Sequence, residues 1–209
     1  QMIGWLEAHP ETGIARPRTL NPDGTVQSTR RRFPSPLLAA FESTWLQPLL
    51  PRRMLDRFYV RDAADDATLD VDWVQGSCLL ARREVYAKIG GLDEGFVMYS
   101  EELDWCRRAK DAGWKITYLG SASIIHHGGQ SSGQVQAQTH IRFNQSKLRY
   151  VRKYHGWLAA QAVRFMLLLH FAVQMLIEAA KWMFGHKRPL RAQRLATYWR
   201  VLRSGLRVS

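Results

Sequence analysis

Hydrophobic and polar positions alternate in short blocks over the first two thirds of the chain, then settle into long helical periods. Met2 to His9 has helical spacing and is stopped by Pro10. Gly13-Ile14-Ala15 reads as a short strand, and Asn21-Pro22-Asp23-Gly24 as a turn leading into Thr25 to Ser28. Leu37 to Leu50 is apolar with helical spacing, bracketed by prolines, and Arg61 to Leu69 reads as a polar, acidic loop. Asp70 to Gly76 alternates polar and apolar as a half-buried strand does, and Ser77 to Ala81 continues it. Arg82 to Tyr86 opens a short helix ending at Gly90-Gly91. A second helix begins near Ser100 and stops at Gly113; Lys115 to Leu119 and Ala122 to Ile125 are predicted strands. His126 to Gly133 reads as a histidine- and glycine-rich loop. After Gln134 the pattern is helical throughout: polar and basic to Tyr154, apolar from Trp157 to Phe184, basic again from Lys187 to Arg207.

Composition sharpens this picture. The 209 residues are 46% hydrophobic and 23% charged, enough for a packed core and against disorder. Cys78 and Cys106 give no CxxC site and no disulfide framework, and are expected as core thiols in a reducing compartment. The net charge of +12 is unevenly spread. Residues 1–141 carry 16 Lys/Arg against 17 Asp/Glu, and residues 142–209 carry 14 against one, Glu178. A near-neutral body bearing a basic tail disfavours a nucleic-acid binder, which spreads cations over its folded face. No secretory signal is visible, and a chain opening in mid-helix at Gln1-Met2 points to something upstream.

The densest chemistry runs from Phe96 to Arg108, where Glu101, Glu102 and Asp104 fall within four residues beside Met98, Tyr99 and Trp105. Ser100 is a good N-cap, and acids favour a first helical turn, so a plain capped helix explains the acids. Their crowding equally suits a general base near a metal or a polar substrate, because adjacent like charges raise one another's pKa. His126-His127 ends an apolar strand. It reads either as a surface loop or as an imidazole offered to a divalent metal otherwise held by oxygens. Arg30-Arg31-Arg32 reads as a phosphate or lipid contact or, by preference, as a solvated strand end.

These elements follow in a telling order. Gly76-Ser77-Cys78-Leu79-Leu80-Ala81-Arg82-Arg83, Gly90-Gly91-Leu92-Asp93-Glu94, Met98 to Arg107, Ala112-Gly113-Trp114 and His126 to Ser131 together resemble the C-terminal half of family 2 glycosyltransferases, closest to the rhamnosyltransferase-like branch. The resemblance covers about residues 1–150 and extends back to Ile3 to Arg18. It implies an α/β, partial GT-A fold over 1–150 followed by helical, membrane-associating residues 151–209. It implies transfer of a sugar from a nucleotide-sugar donor to a lipid-linked or polysaccharide acceptor, with a divalent cation, Mg or Mn. The family's acidic pair maps onto Glu101-Glu102, with Glu102 the implied base, Glu101 the alternative and Asp104 an orienting acid. Trp73, Gly76, Arg83, Tyr99 and Trp105 fall in the implied substrate-binding stretches, and His126 at the implied metal or diphosphate contact. The family's N-terminal nucleotide-binding half and its Asp-x-Asp motif have no counterpart here. Asp70-Val71-Asp72 spells the motif too late in the chain and reads as a decoy. The expected setting is the cytoplasmic face of a bacterial inner membrane. A non-catalytic basic binding module and a degenerate partner subunit are the competing readings.

In the tail, Phe165 to Ile177 gives 13 apolar-rich residues between Arg164 and Glu178, against about 20 for a bilayer span. Gln161, Arg164, His170, Gln174, Glu178 and Lys181 share one half of a helical wheel. The preferred reading is an interfacial helix on anionic lipid with Trp157 and Trp182 at headgroup depth; the other is a helix packed on protein.

Overall fold

The computed structural model describes residues 1–127, 136–185 and 187–208. The glycine- and serine-rich stretch read at 128–133 lies outside the described residues. The chain divides into two compact units: residues 1–34, 51–95 and 101–130, and residues 35–50, 96–100 and 131–209.

The first unit is a mixed α/β layer. Its elements are α1 (Met2–Ala8), β1 (Thr12–Leu20), β2 (Val26–Gln27), β3 (Arg30–Arg31), α3 (Arg52–Phe58), β4 (Leu69–Val71), β5 (Trp73–Val74), β6 (Leu80–Ala81), α4 (Arg83–Ile89), α5 (Glu101–Asp111) and β7 (Lys115–Ile125). The sheet runs β2-β1-β7-β4, with β6 also on β1 and a separate β3–β5 ribbon. The two long strands, β1 and β7, pair in parallel, and all the others pair antiparallel.

β1 is longer than the sequence foretold because Pro17 does not end it. A proline cannot donate to a ladder and sits in sheets only at edges or irregularities. Here the register slips between Pro17 and Arg18: Pro17 faces Leu119 while Arg18 faces Ser123, so residues 120–122 of β7 bulge out. That bulge is why the sequence reads β7 as two strands. Gly120 lies in it because a Cβ there would overlap the backbone of Asp66. Beneath the sheet, Ile14, Val71, Val74, Val85, Cys106 and Ile116 form a core with no exposed surface. Burial pushes the Cys106 thiol up to about 12. Cys106 is thus the inert core thiol expected, whereas Cys78 is only half-buried. Arg82 fastens α1 to the sheet by donating to the carbonyls of Leu6, His9 and Thr12.

The arginine run departs from both sequence readings. Arg30 and Arg31 are buried. Arg30 donates to the carbonyls of Ala63 and Ala64 and lies 5.0 Å over the Tyr118 ring; Arg31 lies 4.5 Å over Tyr59. Aromatic faces and loop carbonyls take the place of water.

The second unit is helical: α2 (Pro36–Phe41), a 3-10 turn (Gln47–Leu49), α6 (Gln136–Met183) and α7 (Arg188–Ser204). The helix predicted to run to Leu50 ends at Phe41 instead. Glu42 turns extended, Ser43 is left-handed at φ 63, and the Thr44 hydroxyl donates to the Phe41 carbonyl. Within α6, Gly156 has φ 88 and ψ 170. The His140 and Phe171 rings nonetheless lie 5.8 Å apart. Along one straight helix those 31 positions would span about 46 Å. α6 is therefore a hairpin whose arms return on each other at Gly156.

α7 and α2 pack against the hairpin over Ala39, Leu148, Val163, Leu167, Phe171 and Val201. Most of the polar half of the second arm is at least partly covered by protein, Lys181 at its end excepted. Glu178 is buried against Arg191 at 2.7 Å and Arg194 at 3.3 Å, and Arg164 donates to the Gly205 carbonyl. Leu158, Phe165, Leu169, Leu176 and Met183 are exposed. By length and composition, α6 is the one helix among the described residues apolar enough to cross a membrane.

Candidate active site

α5 presents its chemistry from its first turn. Cys106 and Ala109 point into the core beneath the sheet and Leu103 is buried one turn earlier, while Glu101 and Glu102 at the helix start are only half-buried. Ser100 is not a conventional N-cap: Tyr99 and Ser100 have φ 71 and φ 64, left-handed rather than extended. Glu102 Oε1 accepts a hydrogen bond from the Gly76 amide at 3.2 Å. A Cβ at position 76 would sit an ordinary 3.6 Å from the glutamate, so residue 76 contributes its N–H rather than its missing side chain. The other oxygen, Glu102 Oε2, is buried without a hydrogen-bond partner among the described residues, and so is Glu101 Oε2. Burial, then repulsion from Glu101, pushes the Glu102 carboxyl above the usual range; the Gly76 amide and Arg16 pull the other way.

Arg16 is the site residue that sequence reasoning missed. It sits on β1 with no exposed surface, and its Nη2 donates to Thr19 Oγ1 and Ser77 Oγ, both at 2.7 Å. Its Nε and Nη1 are buried without partners among the described residues. Burial lowers its pKa to about 10, still cationic at neutral pH, while Cys78 and Glu102 favour the charged form. The available signal was an arginine directly following the apolar pair Ile14-Ala15 in a predicted strand. A buried cation without a full set of acceptors calls for an explanation.

His126 follows β7, its amide bonded to the Leu20 carbonyl at 2.9 Å. Its Nδ1 lies 3.0 Å from Gln27 Oε1, while Gln27 Nε2 donates to Asn21 Oδ1 and the His126 carbonyl. An amide oxygen only accepts, so His126 donates from Nδ1 and its Nε2 is the ring nitrogen left for another contact. Arg16 and Leu20, which holds the His126 amide, are four positions apart on β1, roughly 13 Å along the strand. His127 is exposed.

Of the remaining sequence candidates, Asp104, Trp73, Trp105 and Tyr99 have structural partners. Asp104 has no exposed surface and pairs with Arg108 at 2.8 Å; Arg108 also donates to the Ile89 and Gly91 carbonyls. The Trp73 indole donates to the Arg32 carbonyl, and that of Trp105 to the Gly90 carbonyl. Arg83 is exposed at the start of α4. Tyr99 belongs to the second unit, where its ring meets Phe143 edge-on at 5.6 Å. Asp70 and Asp72 are both engaged by Lys110, and Asp72 also by Arg32 and the Phe33 amide. These are the contacts of a structural pair. Among the described residues no cluster of three or more His, Cys, Asp or Glu side chains is able to hold a metal ion. His126 Nε2 is a single ligand, so these residues do not by themselves make a divalent-cation site.

No family model and no solved structure matches the chain. Among curated proteins it is 32% identical over 152 residues to an N-acetylglucosaminyl-diphospho-decaprenol L-rhamnosyltransferase of Mycobacterium tuberculosis, covering 72% of this chain and 49% of that protein. It is 29% identical over 83 residues to a rhamnosyltransferase of Escherichia coli, covering 40% and 31%. It is 28% identical over 150 residues to a low-salt glycan biosynthesis hexosyltransferase of Haloferax volcanii, covering 72% and 42%. The chain spans about half the length, or less, of the curated relatives it matches. Over 72% of its residues, then, this is a rhamnosyltransferase-like glycosyltransferase region.

Proposed function

We propose that this chain is the acceptor-side part of a family 2 glycosyltransferase of GT-A fold. It would transfer a sugar, rhamnose before others, from a nucleotide-sugar to a lipid-linked or polysaccharide acceptor, with inversion. The observation that carries this reading is Glu102: a carboxyl raised above its usual range, steadied on one oxygen by the Gly76 amide, with its other, buried oxygen lacking a hydrogen-bond partner among the described residues. A base needs a pKa drawn toward working pH and a lone pair within reach of the proton it takes.

In the proposed step the acceptor hydroxyl gives its proton to Glu102 Oε2 while its oxygen attacks the anomeric carbon. The bond from that carbon to the diphosphate oxygen breaks, and the nucleoside diphosphate leaves with the electron pair. Arg16 supports the ionised base from within the sheet, and Glu101 tunes it by repulsion. Asp104 acts through Arg108 by fixing the helix that carries Glu101 and Glu102. His126 Nε2 is proposed as one contact to the diphosphate or to a Mg or Mn ion, which would neutralise the charge of the leaving group. Trp73, Gly76, Trp105 and Arg83 are proposed to frame the acceptor and sugar. The second unit would rest on anionic lipid at the cytoplasmic face of a bacterial inner membrane.

The test is Glu102→Gln in the full gene product. Transfer should fall by roughly 10²–10⁴-fold, the range for loss of a general base, while nucleotide-sugar affinity stays within a few-fold. Wild-type turnover in this variant would remove Glu102 as the base.

A further inference from the structure

The second unit holds a cavity that the transfer chemistry does not use. It has a volume of about 400 Å³ and lies between the two arms of α6, α7 and the turn after α2. That volume is in the range of small-molecule sites, roughly 300–1,000 Å³. Its walls are aromatic: Phe143 and Phe171 from opposite arms, Tyr198 from α7, and Trp45, which is 49% exposed, at the turn. Phe171 meets Tyr198 at 5.9 Å between ring centres, and Tyr99 backs Phe143. Between these rings sit His140, His170, Asn144 and Gln174, which offer hydrogen bonds at fixed places. His170 Nδ1 is buried without a partner among the described residues.

The lining contains no Asp, Glu, Lys or Arg, although residues 142–209 carry 14 Lys/Arg. The nearby Lys147 is turned to Glu42, its Nζ 3.0 Å from the Glu42 carbonyl and 3.3 Å from Oε2. Burial lowers the pKa of the His140 and His170 imidazoles and so disfavours their charged forms. A phosphate would find no unmatched cation here, since Lys147, whose Nζ lies 4.9 Å over the Phe143 ring, is already held by Glu42. A lipid tail would leave the buried His170 Nδ1 unsatisfied. A pyranose answers both demands: it has an apolar C–H face for an aromatic ring, a rim of hydroxyls for amides and imidazoles, and no charge.

We propose that this cavity binds an uncharged pyranose ring of the acceptor; the word acceptor rests on the transferase reading, the sugar site does not. The test uses the full gene product with methyl N-acetyl-β-D-glucosaminide and methyl α-L-rhamnopyranoside as probes, followed by saturation-transfer NMR. At least one glycoside should receive saturation. The signal should drop five-fold or more in His170→Phe and fall in Trp45→Ala, whose exposed side chain is removable without unfolding. Inorganic phosphate and decanoate should not displace the glycoside. No signal from either glycoside, full signal in both variants, or displacement by phosphate or decanoate would each overturn the proposal. Binding that maps to His170 together with wild-type turnover in Glu102→Gln would keep the sugar site and discard the proposed base. The reverse result would discard the sugar site alone.

Discussion

Glu102 sets stability against chemistry. In the folded chain its carboxyl titrates above the ordinary range, so between the two values the native state keeps a proton that the unfolded chain has already lost. Stability from this group therefore falls as pH rises through that interval and stays lower above it. Glu102→Gln keeps an oxygen for the Gly76 amide and removes the charge. Its Tm should exceed that of the wild type at pH 8, by a few degrees if the relief is on the order of 1 kcal/mol. Near pH 4, where the wild-type carboxyl is protonated, the two curves should meet. Thermal unfolding at both pH values is the measurement, and an equal offset at the two would mean that the charge is not the cause. The same shift places the acidic limb of the transfer rate above the ordinary carboxylate range, since the base works only when deprotonated. Arg16 bears on this balance too: without its cation, ionised Glu102 would face burial and Glu101 with only an amide in compensation.

At the scale of elements, one residue decides the second unit. Gly156 at φ 88, ψ 170 occupies backbone space that is essentially closed to side-chain-bearing residues. Gly156→Ala should destabilise the fold by about 1–3 kcal/mol although open space surrounds the site, a loss to be read in denaturant unfolding. An unchanged midpoint would mean that the hairpin does not depend on that conformation. The sequence marks the break, since the apolar period restarts at Trp157, but a period carries no information about where a helix goes after a break. Elements closed by local chemistry were legible: α4 ends at Gly90 and α5 at Gly113, both with positive φ. β1 was not, because the bulge that accommodates Pro17 is made by β7, a hundred residues away. The carboxylate cluster was legible from its density. Arg16 was not, because what distinguishes it is burial beside Ser77 and Thr19, and burial is a property of the assembled sheet. A helical wheel likewise separated the faces of the tail without saying which one is covered.

At the scale of the molecule, that covered face carries the argument about membranes. In the second arm of α6, Glu178 and Arg164 are matched inside the unit, whereas Leu158, Phe165, Leu169, Leu176 and Met183 look outward at intervals of 7, 4, 7 and 7. Leu158 is 76% exposed, Phe165 66% and Leu176 67%. Apolar side chains facing out over satisfied polar groups suit a surface met by lipid rather than by water. Burying one such side chain is worth roughly 1.5–3 kcal/mol, so two of them contribute about 3–6 kcal/mol, a hundredfold or more in partition. The basic residues add attraction to anionic headgroups that salt screens. The double variant Phe165→Glu, Leu176→Glu should therefore move the protein from sedimented membranes to the supernatant with its circular dichroism intact, as neither side chain is buried. High salt should release the wild type only in part. Complete release by salt would assign the attachment to the basic groups, and a double variant still sedimenting in alkaline carbonate would replace the interfacial arm with one that spans the bilayer.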